Sequence, residues 1–279
     1  MAVPHHVSPA PPPGAARELA SGLRRQANVV FALVFKEFKT QSGSRRSALG
    51  LLWVLLEPAA QTVLLSAFWY MLRREQIGGV NIMLFVAVGA IPYSIIQRSL
   101  GGIPRALKAN EAFYNYQQVK PIDSVIARFI LEWLLLMAGG AMTLFLLAWY
   151  MELVISFDRL LELAGMLLLA SALGFGAALM LATYGMLYDA VNRVAAVVSR
   201  ALMFVSAVFY SVAELPTAAR QAIAWNPAAQ IVEYARHYAL GTHLFREADL
   251  RYAMASALVA VFLGLTGYYA NRQRLMEKK

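Results

Sequence analysis

The sequence contains no cysteine, which excludes disulfides and thiolate metal centres. Charge is scarce: Asp, Glu, Lys and Arg make up 15% of the 279 residues, against about 25% in an average soluble domain. The signatures of catalysis and nucleotide binding are missing as well. No Gly-x-x-x-x-Gly-Lys-Ser/Thr phosphate loop occurs, so no ATP site is expected within the chain. Neither His-Glu-x-x-His nor Gly-x-Ser-x-Gly occurs. The histidines, His5, His6, His237 and His243, are split between the N-terminal tail and a late connection, which points to no metal site.

What the sequence has is apolar mass. Hydrophobic residues make up 59%, where about 45–50% is usual. They come in blocks, and a hydrocarbon core of about 30 Å needs about 20 such residues as a helix. Inside the bilayer each block must satisfy its own backbone, so it forms helices or a closed barrel. The blocks lack the period-two alternation of barrel strands, which leaves helices. The expected fold is an all-α polytopic membrane protein with six spans: Leu49–Leu72, Met83–Gln97, Ile122–Tyr150, Leu160–Leu187, Ala195–Val212 and Tyr252–Tyr269. The second is weakest, with Pro92 inside it. The third follows Pro121, tolerated in a first turn. Residues 1–25 contain Pro11-Pro12-Pro13-Gly14 and read as a flexible cytoplasmic tail. They lack the features of a signal peptide. Residues 26–279 then form one transmembrane domain. Ala27, Phe31, Val34 and Phe38 recur at helical spacing, as in an amphipathic helix lying in the membrane surface. The alternative is a helix packed on the rest of the protein.

The net charge of +9 raises the question of nucleic acid. No basic stretch is interleaved with aromatics on a soluble module, so topology is the better explanation. Basic residues crowd the start (Arg24, Arg25, Lys36, Lys39, Arg45, Arg46), the connection after the second span (Arg98, Arg105, Lys108, Lys120) and the end (Arg272, Arg274, Lys278, Lys279). Both termini are therefore expected in the cytoplasm, and six spans agree, since an even number returns the chain to its starting side.

Two connections exceed a turn. In the cytoplasmic one, Gly101 to Lys120, Ile103, Leu107 and Phe113-Tyr114 fall near one helix face. They read as a patch for a protein partner or as a helix on lipid headgroups. In the external one, Glu214 to Arg251, Trp225-Asn226-Pro227 should split the chain into two short helices, Pro227 starting the second. Ala228, Ile231, Val232 and Ala235 then form an apolar stripe expected to pack near the sixth span. Within the spans, Glu57 precedes Pro58, and Arg128 and Glu132 share one helix face. Charges in hydrocarbon are costly unless paired or wetted. These three mark either a water-filled pathway or latch, or a snorkelling pair near the interface. Lys39, Arg45 and Arg46 are either topology charges or the group that meets an anionic substrate end.

The run Lys36-Glu37 to Leu49-Gly50-Leu51-Leu52-Trp53-Val54-Leu55-Leu56-Glu57-Pro58 resembles the opening of type 2 ABC exporter permeases. Phe113-Tyr114-Asn115-Tyr116 through Pro121-Ile122-Asp123, with Ala127-Arg128 and Glu132, is similar to capsular polysaccharide export permeases of Gram-negative bacteria, the KpsM type. Trp225-Asn226-Pro227 to Ala235-Arg236 matches that family's external segment. The resemblance covers the chain from about residue 30 onward. It implies an inner-membrane homodimer bound to two ATP-binding cassette subunits, which hold ATP and magnesium. The implied substrate is a lipid-linked capsular polysaccharide, passed on to periplasmic and outer-membrane export proteins. Lys36, Glu37 and the Gly101–Lys120 segment, with Arg105, Lys108, Phe113, Tyr114, Asn115 and Tyr116, would touch the ATPase. Other type 2 substrates (O-antigen, teichoic acid, a drug) remain open. A membrane enzyme acting on polyprenol-linked sugars would need acidic clusters for a divalent metal, and the cytoplasmic loops offer only scattered acids such as Glu111 and Asp189.

Overall fold

In a computed structural model of the chain, the described residues are 15–42, 48–72, 76–77, 79–116, 118–151 and 158–277. Among them the order of elements is α1 (Ala15–Ser42), α2 (Ala48–Met71), a two-stranded hairpin of β1 (Gln76–Ile77) and β2 (Val80–Asn81), α3 (Ile82–Ala109), a 3-10 turn (Glu111–Asn115), α4 (Pro121–Met151), α5 (Leu160–Leu187), α6 (Asp189–Val205), a second 3-10 turn (Val212–Glu214), α7 (Thr217–Ala224), α8 (Pro227–Leu240) and α9 (Leu250–Glu277). Four of these helices, α3, α4, α5 and α9, are long and apolar enough to cross a membrane. The apolar α2 adds 24 residues and α6 adds 17.

α3 is the hub. It packs on α2, α4, α5, α6 and α8, and its most apolar stretch is 72% buried, against 22% for α9. α9 instead presents Leu258, Phe262 and Leu265 outward, as expected of a helix against lipid. Its inner face lies against α5, where Gly176 and Gly264 let the two backbones meet. A Cβ on Gly176 would strike the backbone of Ala260 and Val261. Small residues at such crossings are how membrane helices approach closely.

α4 and α5 start and stop within a residue of the expected third and fourth spans. The helices α1, α3 and α6 differ from expectation. α1 begins at Ala15, inside the expected tail, because Ala15–Ala27 is built from strong helix formers although it lacks an apolar stripe. The expected membrane-facing stripe stays outward at Ala27 and Phe31, and a different face of α1 turns inward. Val30, Leu33 and Glu37 are buried against α4, while Phe31 and Phe35 are 74% and 64% exposed.

α3 does not stop at Gln97 but runs through Pro92, Gly101-Gly102 and Pro104 to Ala109. Buried packing outweighs the lost backbone bonds. Ile103 and Leu107 are therefore core residues against α4, α5 and α9, not an exposed partner patch. The connection to α4 shrinks to residues 110–120. Finally, α6 spans Asp189–Val205 rather than Ala195–Val212. The chain turns after Ser206, with Ala207 at φ 58°.

The external connection divides at the expected place. Pro227 opens α8, Asn226 caps it by accepting the Ala228 amide at 3.0 Å, and Gly241 ends it with φ 68°. The stripe Ala228, Ile231, Val232 and Ala235 is buried, against α3 and α5 as well as α9. Burial extends around the whole helix from Ala228 to Arg236. The Arg236 guanidinium donates to the carbonyls of Phe85 (3.0 Å) and Ala207 (2.7 Å), to that of Val208, and to Glu233 (3.0 Å). It also lies 3.7 Å above the Phe85 ring. A Cβ on Gly89 would collide with it. Arg236 thereby satisfies carbonyls of the turn that follows α6, and ties that turn to α3.

Candidate functional site

Six charged residues of the first four long helices, Lys36, Glu37, Glu57, Arg98, Arg128 and Glu132, converge at one end of the bundle. Glu37 on α1 points inward because it follows Val30 and Leu33 on the buried face. Arg128 and Glu132 lie one turn apart on α4 and form an ion pair at 2.7 Å. Arg128 also bonds Glu37 at 3.0 Å, which links α4 to α1. Glu132 faces Arg98 on α3 at 3.6 Å. Arg98 donates to Gln61 on α2 at 3.0 Å and stands 4.0 Å from Glu57. Gln61 donates in turn to Glu57 at 3.4 Å.

The other end of this chain of contacts reaches the turn after α3. The amide of Asn110, fully buried, donates to Glu37 at 2.9 Å. Lys36 donates to the Asn110 side-chain oxygen at 2.6 Å, and its ammonium lies 4.5 Å from the Phe113 ring centre. A continuous polar relay thus runs from Phe113 through Lys36, Asn110, Glu37, Arg128, Glu132 and Arg98 to Glu57. It contains three cations and three carboxylates, and it touches α1, α2, α3, α4 and the 3-10 turn. Gly102 makes room for it: a Cβ there would sit 3.3 Å from both Arg128 Nε and Glu132 Oε1.

The electrostatics favour a structure that moves as a unit. Isolated charges in a low-dielectric interior cost several kcal/mol each. Here each buried carboxylate has a cation or amide partner, so the cost is offset only while the partners stay together. The cluster offers no nucleophile beside a base. Its ion pairs and hydrogen bonds join α1, α2, α3 and α4.

The expected sites fall into distinct groups. Lys36, Glu37, Phe113, Glu57, Arg128 and Glu132 all belong to the relay. Arg105, Lys108, Asn115 and Tyr116 are exposed around it; Arg105 donates to the Gly101 carbonyl of its own helix at 2.7 Å. Tyr114 turns inward and donates to the Leu107 carbonyl at 2.9 Å. Its burial pushes the phenol above its ordinary range. Lys39 is exposed on the last turn of α1. Arg45 and Arg46 lie outside the described residues.

Arg98 and Asn110 are relay members absent from the expected site. A second span that ends at Gln97 leaves both in the connection after it, whereas α3 continues to Ala109. Their signal is the ridge Arg98, Gly102, Ala106, Asn110, spaced by four along one helix. The buried Glu233–Arg236 pair was likewise expected among the external charges, and the apolar residues surrounding it on α8 are its signal.

The bundle contains helices long and apolar enough to cross a membrane and gathers paired charges at one end. The chain belongs to the ABC-2 type transporter family, whose model matches residues 28–240. It is 30% identical to the polysialic acid transport protein KpsM of Escherichia coli, over 92% of this chain and 98% of that one. It is 24% identical to the capsule polysaccharide export inner-membrane protein BexB of Haemophilus influenzae and 23% identical to CtrC of Neisseria meningitidis serogroup A, which bears the same description. Each of these matches covers 86% of this chain and 89% of the relative.

Proposed function

We propose that the chain is the permease subunit of an ATP-driven exporter that moves lipid-linked capsular polysaccharide across the inner membrane. Six helices span in this arrangement, α2, α3, α4, α5, α6 and α9, and both termini face the cytoplasm. The basic residues around α1, the end of α3 and the end of α9 support that orientation. Two ATP-binding cassette subunits hold ATP and magnesium. They dock on Arg105, Lys108, Phe113, Asn115 and Tyr116, exposed together at the end of α3 and the turn after it.

The observation that carries this proposal is the relay directly behind that surface. Closure of the ATPases displaces the 3-10 turn. The displacement passes through Lys36, Asn110 and Glu37 to α1 and α4, and through Arg98 to Glu57 on α2. Rigid-body shifts of packed helices are an ordinary means of switching. A second copy of the chain completes the passage, since one six-helix bundle is too small to enclose a hydrated polymer. Exposed apolar residues on α2 (Leu64, Phe68, Met71) and α6 (Val194, Val197, Phe204) supply surfaces for a two-fold partner. Lys39, Arg45 and Arg46 meet the anionic end of the polymer. Periplasmic and outer-membrane export proteins receive it on the far side.

The test is reconstitution with the cognate ATPase and measurement of polymer-stimulated ATP hydrolysis. Lys108→Glu combined with Tyr116→Ala should cut ATPase co-purification by about tenfold, the equivalent of 1.4 kcal/mol, with the helical content unchanged. Full co-purification from that variant removes the docking surface. Nucleotide turnover by the permease alone removes the division of labour.

A further inference from the structure

Polar links between the elements are not confined to the relay. At the other end of α3 a second set ties the hub to α6. Arg236 leaves α8 and reaches both: Nε donates to the Phe85 carbonyl of α3 at 3.0 Å, and Nη1 to the Ala207 carbonyl after α6 at 2.7 Å. Glu233, one turn earlier on α8, holds the same guanidinium at 3.0 Å. The charge is thus neutralised within α8, so the carbonyl bonds can exchange without stranding it. Nearer the middle of α3, the Tyr93 hydroxyl donates to the Ser199 carbonyl of α6 at 3.1 Å. Tyr93 and Arg236 are both buried.

The turn that Arg236 grips is held under strain. Ala207 has φ 58°, a left-handed conformation that a residue with a Cβ rarely adopts, and it is fully buried. Such a residue persists only where its surroundings impose it. Here they include the bonds from Arg236 and the stacking of Phe209 on Trp69 of α2, with ring centres 5.1 Å apart. These restraints lead to the two helices that carry Arg98 and Glu57 of the relay, α3 and α2. Along α3, Phe85 lies about 20 Å from Arg98 by helical rise. Most of that stretch is buried, so packing keeps it stiff despite the backbone bond lost at Pro92.

We propose that Arg236 and Tyr93 are positioning residues for export: they pass a shift of α3 to the external end of α6, and the Ala207 turn is the element that switches. This rests on the export reading above and adds where the stroke arrives. When α3 shifts, the Phe85 carbonyl leaves the guanidinium, the grip on residues 207–210 loosens, and Ala207 relaxes. The end of α6, with its exposed Phe204, is then free to move. Glu233 keeps Arg236 attached to α8 throughout.

The test uses the full-length permease with its cognate ATPase in proteoliposomes, where export and ATP hydrolysis are measured together. Arg236→Lys keeps the charge beside Glu233 but cannot bond Phe85 and Ala207 at once. Export per ATP should fall about tenfold, as expected for one lost charge-assisted bond, while polymer-stimulated hydrolysis persists. Tyr93→Phe should lower the same ratio about fivefold, the equivalent of one neutral bond, with thermal unfolding near that of the wild type. The sequence has no cysteine, so a single label can be placed. An environment-sensitive fluorophore on Ala213→Cys, exposed just past the turn, should respond to ATP and vanadate in the wild-type background and not in Arg236→Lys. Ala207→Gly separates transmission from bracing, since glycine adopts a positive φ freely. Added to Arg236→Lys, it should recover thermal stability but not export. Recovered export would reduce Arg236 to a brace and overturn the proposal, as would an unchanged export-per-ATP ratio in Tyr93→Phe and Arg236→Lys. A wild type that hydrolyses ATP in response to polymer without moving the label also overturns it. A wild type whose hydrolysis ignores polymer removes the export reading, and this proposal with it.

Discussion

Replacing Arg128 by Gln removes the guanidinium that joins α1 to α4 through the relay. Two charge-assisted bonds are lost, to Glu37 at 3.0 Å and to Glu132 at 2.7 Å. Bonds of this kind contribute about 1.5–3 kcal/mol each. The carboxylates are not left equally stranded. Glu37, with 7% of its side chain exposed, keeps only the Asn110 amide, whereas Glu132 keeps Arg98 at 3.6 Å. Arg128 itself is 20% exposed, so water recovers part of the loss and a net destabilisation of about 3 kcal/mol is expected. The stranded Glu37 should account for much of it. Glu37→Gln added to Arg128→Gln should therefore cost less than the two single changes together, by about 1–2 kcal/mol. Thermal unfolding of the four proteins in micelles measures this cycle. The ATPase should still bind Arg128→Gln, because its docking surface is intact, while polymer-stimulated hydrolysis collapses. Single effects that add to within about 0.5 kcal/mol, the behaviour of independent sites, would refute the relay, as would undiminished stimulated hydrolysis.

Other substitutions probe the ends of the same architecture. Glu57 is 45% exposed and 4.0 Å from Arg98. Glu57→Gln should change stability by less than about 1 kcal/mol yet lower ATP-driven export, and unaltered export would reduce Glu57 to a snorkelling residue. Arg236→Met leaves Glu233 buried without its cation and strands the carbonyls after α6, a loss of about 3–5 kcal/mol. Glu233→Gln in the same chain should recover part of it. Near-native unfolding of Arg236→Met would show that this arginine is dispensable.

The sequence was most legible where apolar length and a proline agreed. α4 and α5 needed only a long hydrophobic run, and α8 needed only Asn226-Pro227 before an apolar stripe. It was least legible where local breakers lost to packing. Pro92, Pro104 and the Gly101-Gly102 pair all signal a stop, yet Ile103, Ala106 and Leu107 bury themselves fully and carry α3 onward. That extension turned Arg98 from a loop charge into a relay member. On α1 the stripe through Phe31 points away from the protein, as a helix lying in the membrane surface requires, whereas the packed face at Val30, Leu33 and Glu37 has no signal of its own in the spacing. The relay was half visible: the spacing of Arg128 and Glu132 implied their pairing, but Glu37, Asn110 and Arg98 join it only through the tertiary arrangement of three helices.

The balance of three cations against three carboxylates in that cluster has an energetic consequence. A charge carried through a transmembrane potential does work, about 2.3 kcal/mol per elementary charge for 100 mV. A neutral cluster sliding as one body does almost none. If this cluster shifts as one body, the membrane potential neither helps nor opposes its own displacement, and any voltage dependence of transport then reports the charge of the cargo.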